Sequence, residues 1–274
     1  MMKKLYTLVW TLLVVIAAQA QGQKPQKVKL DTIPEQGLRS VSNTAFKTGE
    51  KLVYRVHYGF IDAGEAVLEV KDSKWKFAGR DAFHVVGTGR SLGGFDWVFK
   101  VRDRYETYID KQGMFPYRFI RNVDEGGYKI HQDYTFFPGK RALRTHEKQE
   151  YRTPGFIQDL LSAFYYARTL DFTGVKKGDT FEIITFVDGE VFPLRIKYVS
   201  TEVISLRKGK FKCMKFVPVI QQGRIWKSED DLEVWVTADK NKIPILVKSD
   251  ILVGSIKMEM VEYQNLKNPI AIVQ

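Results

Sequence analysis

One stretch of this chain has a helical period, while the rest alternates as strands do. From Thr153 to Arg168 it reads Thr-Pro-Gly-Phe-Ile-Gln-Asp-Leu-Leu-Ser-Ala-Phe-Tyr-Tyr-Ala-Arg, with apolar side chains at Ile157, Leu160, Leu161 and Phe164. That spacing lines one face of a helix. Thr153 is placed to cap the N-terminus, and Pro154 suits the first turn, where its missing N–H would have no intrahelical partner. The expected helix spans 154–170, and the face made by Leu160, Leu161 and Phe164 has to cover apolar surface elsewhere in the chain. Arg168 falls near that face. Its stem can lie along apolar surface with the charge beside the helix C-terminus, or it can pair with a strand carboxylate.

Before and after this helix the period changes to two. Leu52, Tyr54, Val56 and Tyr58 alternate with Val53, Arg55 and His57, the pattern of a half-buried strand. Asp62-Ala63-Gly64, Gly79, Gly89 to Gly94, Asp110 to Gly113 and Gly126-Gly127 punctuate the first half. The second half has similar punctuation at a nearly constant distance. Gly178 follows Gly49 by 129 residues, Gly209 follows Gly79 by 130, Trp226 follows Trp97 by 129, and Pro244 follows Pro116 by 128. Such a fixed offset is what a repeated unit leaves in a sequence.

The expected fold is mainly β: two tandem antiparallel repeats, 46–137 and 175–263, joined by the central helix within one domain spanning 44–265. At about six strands per repeat, the strands must form a curled sheet, a half-barrel or a sandwich, because so many cannot stay flat.

The first twenty residues look like an address. Lys3 and Lys4 precede an apolar run from Leu5 to Ala18, and Ala18-Gln19-Ala20 has the small-x-small form of a cleavage site. Residues 1–20 are therefore expected to be a signal peptide, with Gln21 first in the mature chain and the periplasm of a Gram-negative bacterium as the destination. No Cys follows the site, which argues against a lipid-anchored form. Residues 21–43, rich in Gln, Lys and Pro, read as a flexible tail. Removing Lys3 and Lys4 lowers the formal charge from +11 to +9. That charge favours anionic partners, and export sets nucleic acid aside. Cys213 is the only cysteine, so no internal disulfide can form, and its alternating apolar setting suits a buried thiol.

Motifs that carry chemistry are scarce. His57, His84, His131 and His146 form no His-x-His pair and no spacing with Cys that suits a metal, so neither metal nor cofactor is expected. No nucleophile elbow, phosphate loop or dinucleotide fingerprint occurs. Asp159, Ser162 and Tyr166 share a helix face, which suits the hydrogen-bonding side of an amphipathic helix better than a catalytic set. The aromatic hairpins are more suggestive. Phe95, Trp97 and Phe99 alternate after a glycine-rich turn, and Trp226 holds the matching place in the second repeat between Arg224 and Lys227. Aromatics beside cations suit lipid or sugar ligands. The candidate ligand-binding residues are thus Phe95, Trp97, Phe99 and Trp226, with Arg90, Arg224 and Lys227 selecting an anionic head group.

Three motifs resemble an exported bacterial family, domain of unknown function 3108. They are Phe46-x-x-Gly49-Glu50-x-Leu52-x-Tyr54, Asp159-x-x-Ser162-Ala163-Phe164-Tyr165-Tyr166-x-Arg168, and Val234-Trp235-Val236-Thr237-x-Asp239-x-Asn241-x-Ile243-Pro244, closed by Val253-Gly254-Ser255-Ile256. The resemblance implies a β-rich periplasmic domain and brings no reaction with it. The expected function is a monomeric, non-enzymatic periplasmic binding or carrier protein for an amphiphilic, lipid-like envelope ligand. The alternatives are an envelope scaffold that binds other proteins and a hydrolase of glycan or cell-wall material. An outer-membrane barrel fits less well, since the chain ends Ile272-Val273-Gln274 without a terminal aromatic residue.

Overall fold

In the computed structural model, which describes residues 22–219, 232–250 and 254–273, strands fill most of the space between the turn signals. The first run is β1 (Lys51–Tyr58), β2 (Ile61–Asp72), β3 (Ala82–Ser91), β4 (Arg102–Asp110), β5 (Pro116–Glu125) and β6 (Tyr128–Phe137), followed by the short β7 (Ala142–Arg144) and β8 (Glu150–Arg152). The second is β9 (Thr180–Val187), β10 (Glu190–Leu206), β11 (Gly209–Pro218), β12 (Leu232–Thr237), β13 (Pro244–Asp250) and β14 (Ser255–Gln264), with β15 (Ile272–Val273) last. Helix α1 (Gly93–Val98) joins β3 to β4, and α2 (Leu160–Ala167) lies between the two runs.

These strands form one antiparallel sheet in the order β8-β7-β6-β5-β4-β3-β2-β1-β14-β13-β12-β11-β10-β9, with β15 added beside β11. Each run is a meander, and the two join where β1 pairs with β14, from Lys51 opposite Gln264 to Tyr58 opposite Ile256. Gly49 and Gly178 precede β1 and β9, and Pro116 and Pro244 open β5 and β13, each the fifth strand of its run.

A sheet of this width curls. Phe186 on β9 reaches Tyr134 on β6 with ring centroids 5.3 Å apart, and Tyr151 on β8 at 6.4 Å. The edge strands β8 and β9 do not pair with each other, so the sheet stays open. Two segments lie across the gap. Gln23 and Val191 exchange backbone hydrogen bonds of 3.0 Å, Val28 donates to the Glu150 carbonyl at 3.0 Å, and Arg152 donates to that of Gln26 at 2.9 Å. On the other side, Gln158 donates to the Ile184 carbonyl at 2.9 Å and accepts from Phe186 at 2.8 Å. The stretch expected as a tail is thus fastened to the body, and its Leu30 and Ile33 are buried.

The central helix is shorter than its apolar period suggests. It begins at Leu160, because Asp159 is the stronger cap: its carboxylate accepts from the Leu161 and Ser162 N–H groups at 2.8 Å each, while the Ser162 hydroxyl accepts from the Asp159 N–H at 2.9 Å. This reciprocal arrangement satisfies donors that a helix start leaves open. Thr153 instead donates its backbone N–H to the Arg141 carbonyl, and Gln158 is committed to β9. Leu160, Leu161 and Tyr165 are buried in the main core, whereas Phe164 is partly buried.

A second difference lies at α1. Phe95, Trp97 and Phe99 do not project from one strand face, because residues 93–98 wind into a helix, placing 95 and 97 about 200° apart around its axis. Gly93 takes a φ of +52°, a conformation that suits glycine. The Asp96 carboxylate is held by the Ser91 hydroxyl and by Arg102, at 2.6 and 3.0 Å, which closes the turn.

Leu161→Ala is expected to cost about 2–5 kcal/mol, as for a buried leucine whose site cannot collapse. Denaturant unfolding measures this directly, and a loss under about 1 kcal/mol would show α2 to be peripheral.

Candidate functional site

The concave face of the sheet is apolar and α2 covers only part of it. Between them lies a cavity of about 140 Å³, lined by Tyr54, Ala66 and Leu68 of β1 and β2, by Ala163, Phe164 and Ala167 of α2, and by Phe216, Val234, Val247 and Met258 of the second run. The strand register explains the wall. Val56 stands opposite Met258, Met258 opposite Val247, Val247 opposite Val234, and Val234 opposite Phe216. Residues directly opposite share a face, so one inward row runs across five strands. Phe172, Ile183, Leu194 and Ile196 complete the far side. Small residues at 163 and 167 leave the space that larger ones would fill.

Buried charge holds the helix over this space. Arg168 donates to both oxygens of Glu50, at 2.6 and 2.8 Å, and to the Asn241 carbonyl at 2.9 Å. Its guanidinium also lies over the rings of Phe46 and Tyr165, at 5.2 and 5.3 Å. Both charged groups are almost wholly buried. Of the two sequence readings of Arg168, the pairing with a carboxylate is the one observed, with Glu50 just before β1 as its partner. The Thr237-x-Asp239-x-Asn241 motif builds the turn that presents the Asn241 carbonyl. Asp239 accepts from Thr237, Asn241 and Lys242, and Asn241 is tied to Asn268 and Pro269.

Asp159 is likewise structural. Burial pushes its carboxyl up to about 6, against the hydrogen bonds it accepts from Thr107, Ser162 and Leu161. With Asp159 and Ser162 locked in the cap, and Tyr166 facing the Arg39 guanidinium at 4.7 Å, the three do not converge as a catalytic set. Burial pushes the Cys213 thiol up to about 12, which makes it a poor nucleophile. Among the described residues, no group of three His, Cys, Asp or Glu side chains is arranged to hold a metal.

Among the described residues, the other sequence candidates do not meet at the cavity. Arg90 sits on the opposite face, paired with Glu65 at 2.8 and 3.1 Å. Trp97 is exposed at one end of the molecule, and Phe95 packs near Tyr58 with ring centroids 6.5 Å apart. Phe99 closes on Gly126, where a Cβ would come within 2.5 Å of its ring. Arg224, Trp226 and Lys227 lie outside the described residues. The residues that do form the cavity are ordinary strand aliphatics. Their only sequence signal is the alternation of β1, β2 and β12 together with alanines at 163 and 167.

A second buried group was not visible in the sequence. Asp103 on β4 and Glu125 at the end of β5 are both buried, with Arg121 and Tyr105 paired across the same two strands. Burial, followed by the charge of Asp103 and its hydrogen bond, pushes the Glu125 carboxyl up to about 9. Burial also raises Asp103, opposed by hydrogen bonds from Glu125 and from the Asp124 N–H and by the Arg121 charge. The pair therefore keeps a proton at neutral pH.

The family DUF3108, proteins of unknown function, matches residues 53–261, most of the chain. The chain belongs to this family. Comparison with curated proteins finds no match. Among solved structures, a β-barrel-like protein of the DUF1849 family from Brucella abortus is similar in fold, with a TM-score of 0.53 and 11% identity over 81% of this chain and 99% of that one. A DUF1089 family protein from Pseudomonas aeruginosa is more distant, with a TM-score of 0.40 and 11% identity over 69% of this chain and 90% of that one. At such identity the first likeness concerns fold alone. No helix among the described residues is long and apolar enough to cross a membrane.

The Glu125 proton sets a pH dependence for this DUF3108 chain. Its folded pKa of about 9 lies above its ordinary 4.5, so the stability it contributes is complete below about 4.5 and is lost as pH rises through about 9. The slope is at most about 1.4 kcal/mol per pH unit. Glu125→Gln is expected to flatten the fall in denaturation midpoint between pH 6.5 and 9, and parallel curves for parent and variant would show that the pair holds no extra proton.

Proposed function

We propose that the protein is an exported, non-enzymatic carrier that shelters the hydrocarbon part of an amphiphile. The observation that supports this is the cavity between α2 and the concave sheet, whose wall is aliphatic and aromatic nearly throughout. The polar groups at its edge are already used. Arg168 is bound to Glu50 and Asn241, and Lys242 donates to the Leu170 carbonyl at 2.5 Å. Burying an ionised head group among such walls would be costly, so the ligand keeps its head at the mouth and places its chain inside. Apolar contact supplies the affinity, at roughly 25 cal/mol per Å² before ordering costs. Asp159, Ser162 and Cys213 are each held in structural roles, which leaves the cavity without an obvious nucleophile or base.

Several sequence expectations belong to this reading. Cleavage after Ala20 delivers the chain to the periplasm as a monomer, and the positive surface favours an anionic head group. The two meanders descend from one duplicated unit, which explains why Pro116 and Pro244 open the fifth strand of each run.

The test uses N-phenyl-1-naphthylamine, a neutral apolar probe that fluoresces when it leaves water. The parent protein is expected to enhance its emission saturably. Ala167→Trp, which fills the cavity from α2, is expected to weaken binding by about tenfold or more, equivalent to about 1.4 kcal/mol. Circular dichroism establishes that the variant is folded, and Ala167→Phe serves if it is not. Equal binding by a folded variant would defeat the proposal, as would failure of the parent to bind the probe.

A further inference from the structure

The strongest remaining feature is an apolar end of the molecule. Phe60 and Ile61 form the tip of the β1–β2 turn, with relative exposures of 107% and 57%. Beside them, α1 presents Trp97 at 93% and Val98 at 77%. The neighbouring β5–β6 turn adds Tyr128 at 55%. Independent contacts put these three elements together. The Leu92 N–H before α1 donates to the Ala63 carbonyl at 3.0 Å, and the Gly126 N–H donates to the Lys100 carbonyl at 2.8 Å. Phe95 and Phe99 turn inward, toward Tyr58 and Gly126, and so hold α1 down with Trp97 and Val98 facing out.

An isolated exposed Leu or Val needs no explanation, but a contiguous group of this size marks an interaction site. Its shape and charge favour one kind of partner. The side chains protrude instead of lining a groove, so they suit a surface that yields to them. Trp and Tyr are the residues that settle at the boundary between lipid head groups and hydrocarbon. The nearby acids stand beside cations of their own: Asp96 beside Arg102 at 2.6 Å, Glu65 beside Arg90 at 2.8 Å, and Asp62 beside Arg55 at 3.7 Å. Lys100 is exposed close to the aromatic tip, Lys129 is exposed there and pairs with Asp124 at 3.5 Å, and the chain without residues 1–20 carries a formal charge of +9. A protruding apolar wedge flanked by cations complements an anionic bilayer.

We propose that this end, formed by Phe60, Ile61, Trp97, Val98 and Tyr128, docks the protein on the surface of an anionic phospholipid membrane. The tip enters the head-group boundary while the sheet stands above it. The surface is distinct from the cavity and does not depend on any ligand being bound. The two are nonetheless near each other along the strands: Met258 of the cavity wall is two residues from Ile256, which pairs with Tyr58 at this end.

Co-sedimentation with vesicles of phosphatidylglycerol and phosphatidylethanolamine tests the proposal, with phosphatidylcholine vesicles for comparison. The full protein is expected to bind the anionic vesicles, and binding should weaken as salt rises. A Phe60→Ser, Trp97→Ser double variant is expected to lose about tenfold or more in vesicle affinity. Both residues are exposed, so the fold should survive, and thermal unfolding checks this. Tryptophan emission should be quenched by brominated phosphatidylglycerol in the parent and much less in Trp97→Phe. Unchanged binding by the folded double variant would overturn the proposal, as would a parent that binds no vesicles. So would a concentration-dependent dimer that the same substitutions dissolve in a protein indifferent to vesicles. The cavity is assayed separately: Ala167→Trp should keep vesicle binding, and the tip variant should keep binding N-phenyl-1-naphthylamine. Failure of either reading therefore leaves the other standing.

Discussion

The structure turns on one buried ion pair. Glu50 and Arg168 are 118 residues apart in sequence and joined by two charge-assisted hydrogen bonds, with aromatic rings on either side. The pair ties the start of β1 to the end of α2, and through Asn241 it also fixes the β12–β13 turn. Replacing both charges with apolar groups can be neutral in a well-packed site, but removing one leaves the other buried and unpaired, typically at about 3–5 kcal/mol. Its value here is therefore positional. It sets where α2 sits over the concave face, and so how much of that face is left open as a cavity. The Asp159 cap does the same for the other end of the helix, through Thr107 on β4 at 2.6 Å.

Those two anchors explain how a helix of only eight residues can stay over a wide sheet. An isolated helix of that length is unstable in water, and its order has to come from tertiary contacts. Leu160, Leu161 and Tyr165 supply the packing, while Phe164 and the two alanines face the space that the packing leaves. The site and the fold thus share a cause. An element pinned at both ends over a curved surface touches part of it and roofs the rest.

Much of this was legible in the sequence, for reasons tied to particular residues. Glycine and Asx turns mark strand ends locally, so a mainly β chain of antiparallel strands could be expected. The helix start could not, because Thr153 and Asp159 both have the right chemistry, and the choice depends on Gln158 being claimed by β9 and on Thr107 from β4. The alternation of Phe95, Trp97 and Phe99 suggested a strand, but three residues are too short a window, and Gly93 together with the Asp96–Arg102 pair turns the chain into α1. The partner of Arg168 was out of reach for sequence reading, since a single carboxylate cannot be selected across 118 residues. The cavity was hidden for a similar reason. It is a property of curvature across strands from both runs, and each lining residue alone looks like core.

The joint between β1 and β14 affects the order of events during folding. Lys51 faces Gln264, so the seam that unites the two meanders is made by segments separated by nearly the whole chain. Until β14 arrives, β1 is an edge strand, with unpaired N–H and C=O groups along one side. Contacts of such long separation require loop closure before they return any stabilisation, which places this seam among the later and slower steps. The first meander can zip from its own turns while the second is still being made, but neither can complete the curved wall alone. A chain built this way remains unfinished until its last strands are available.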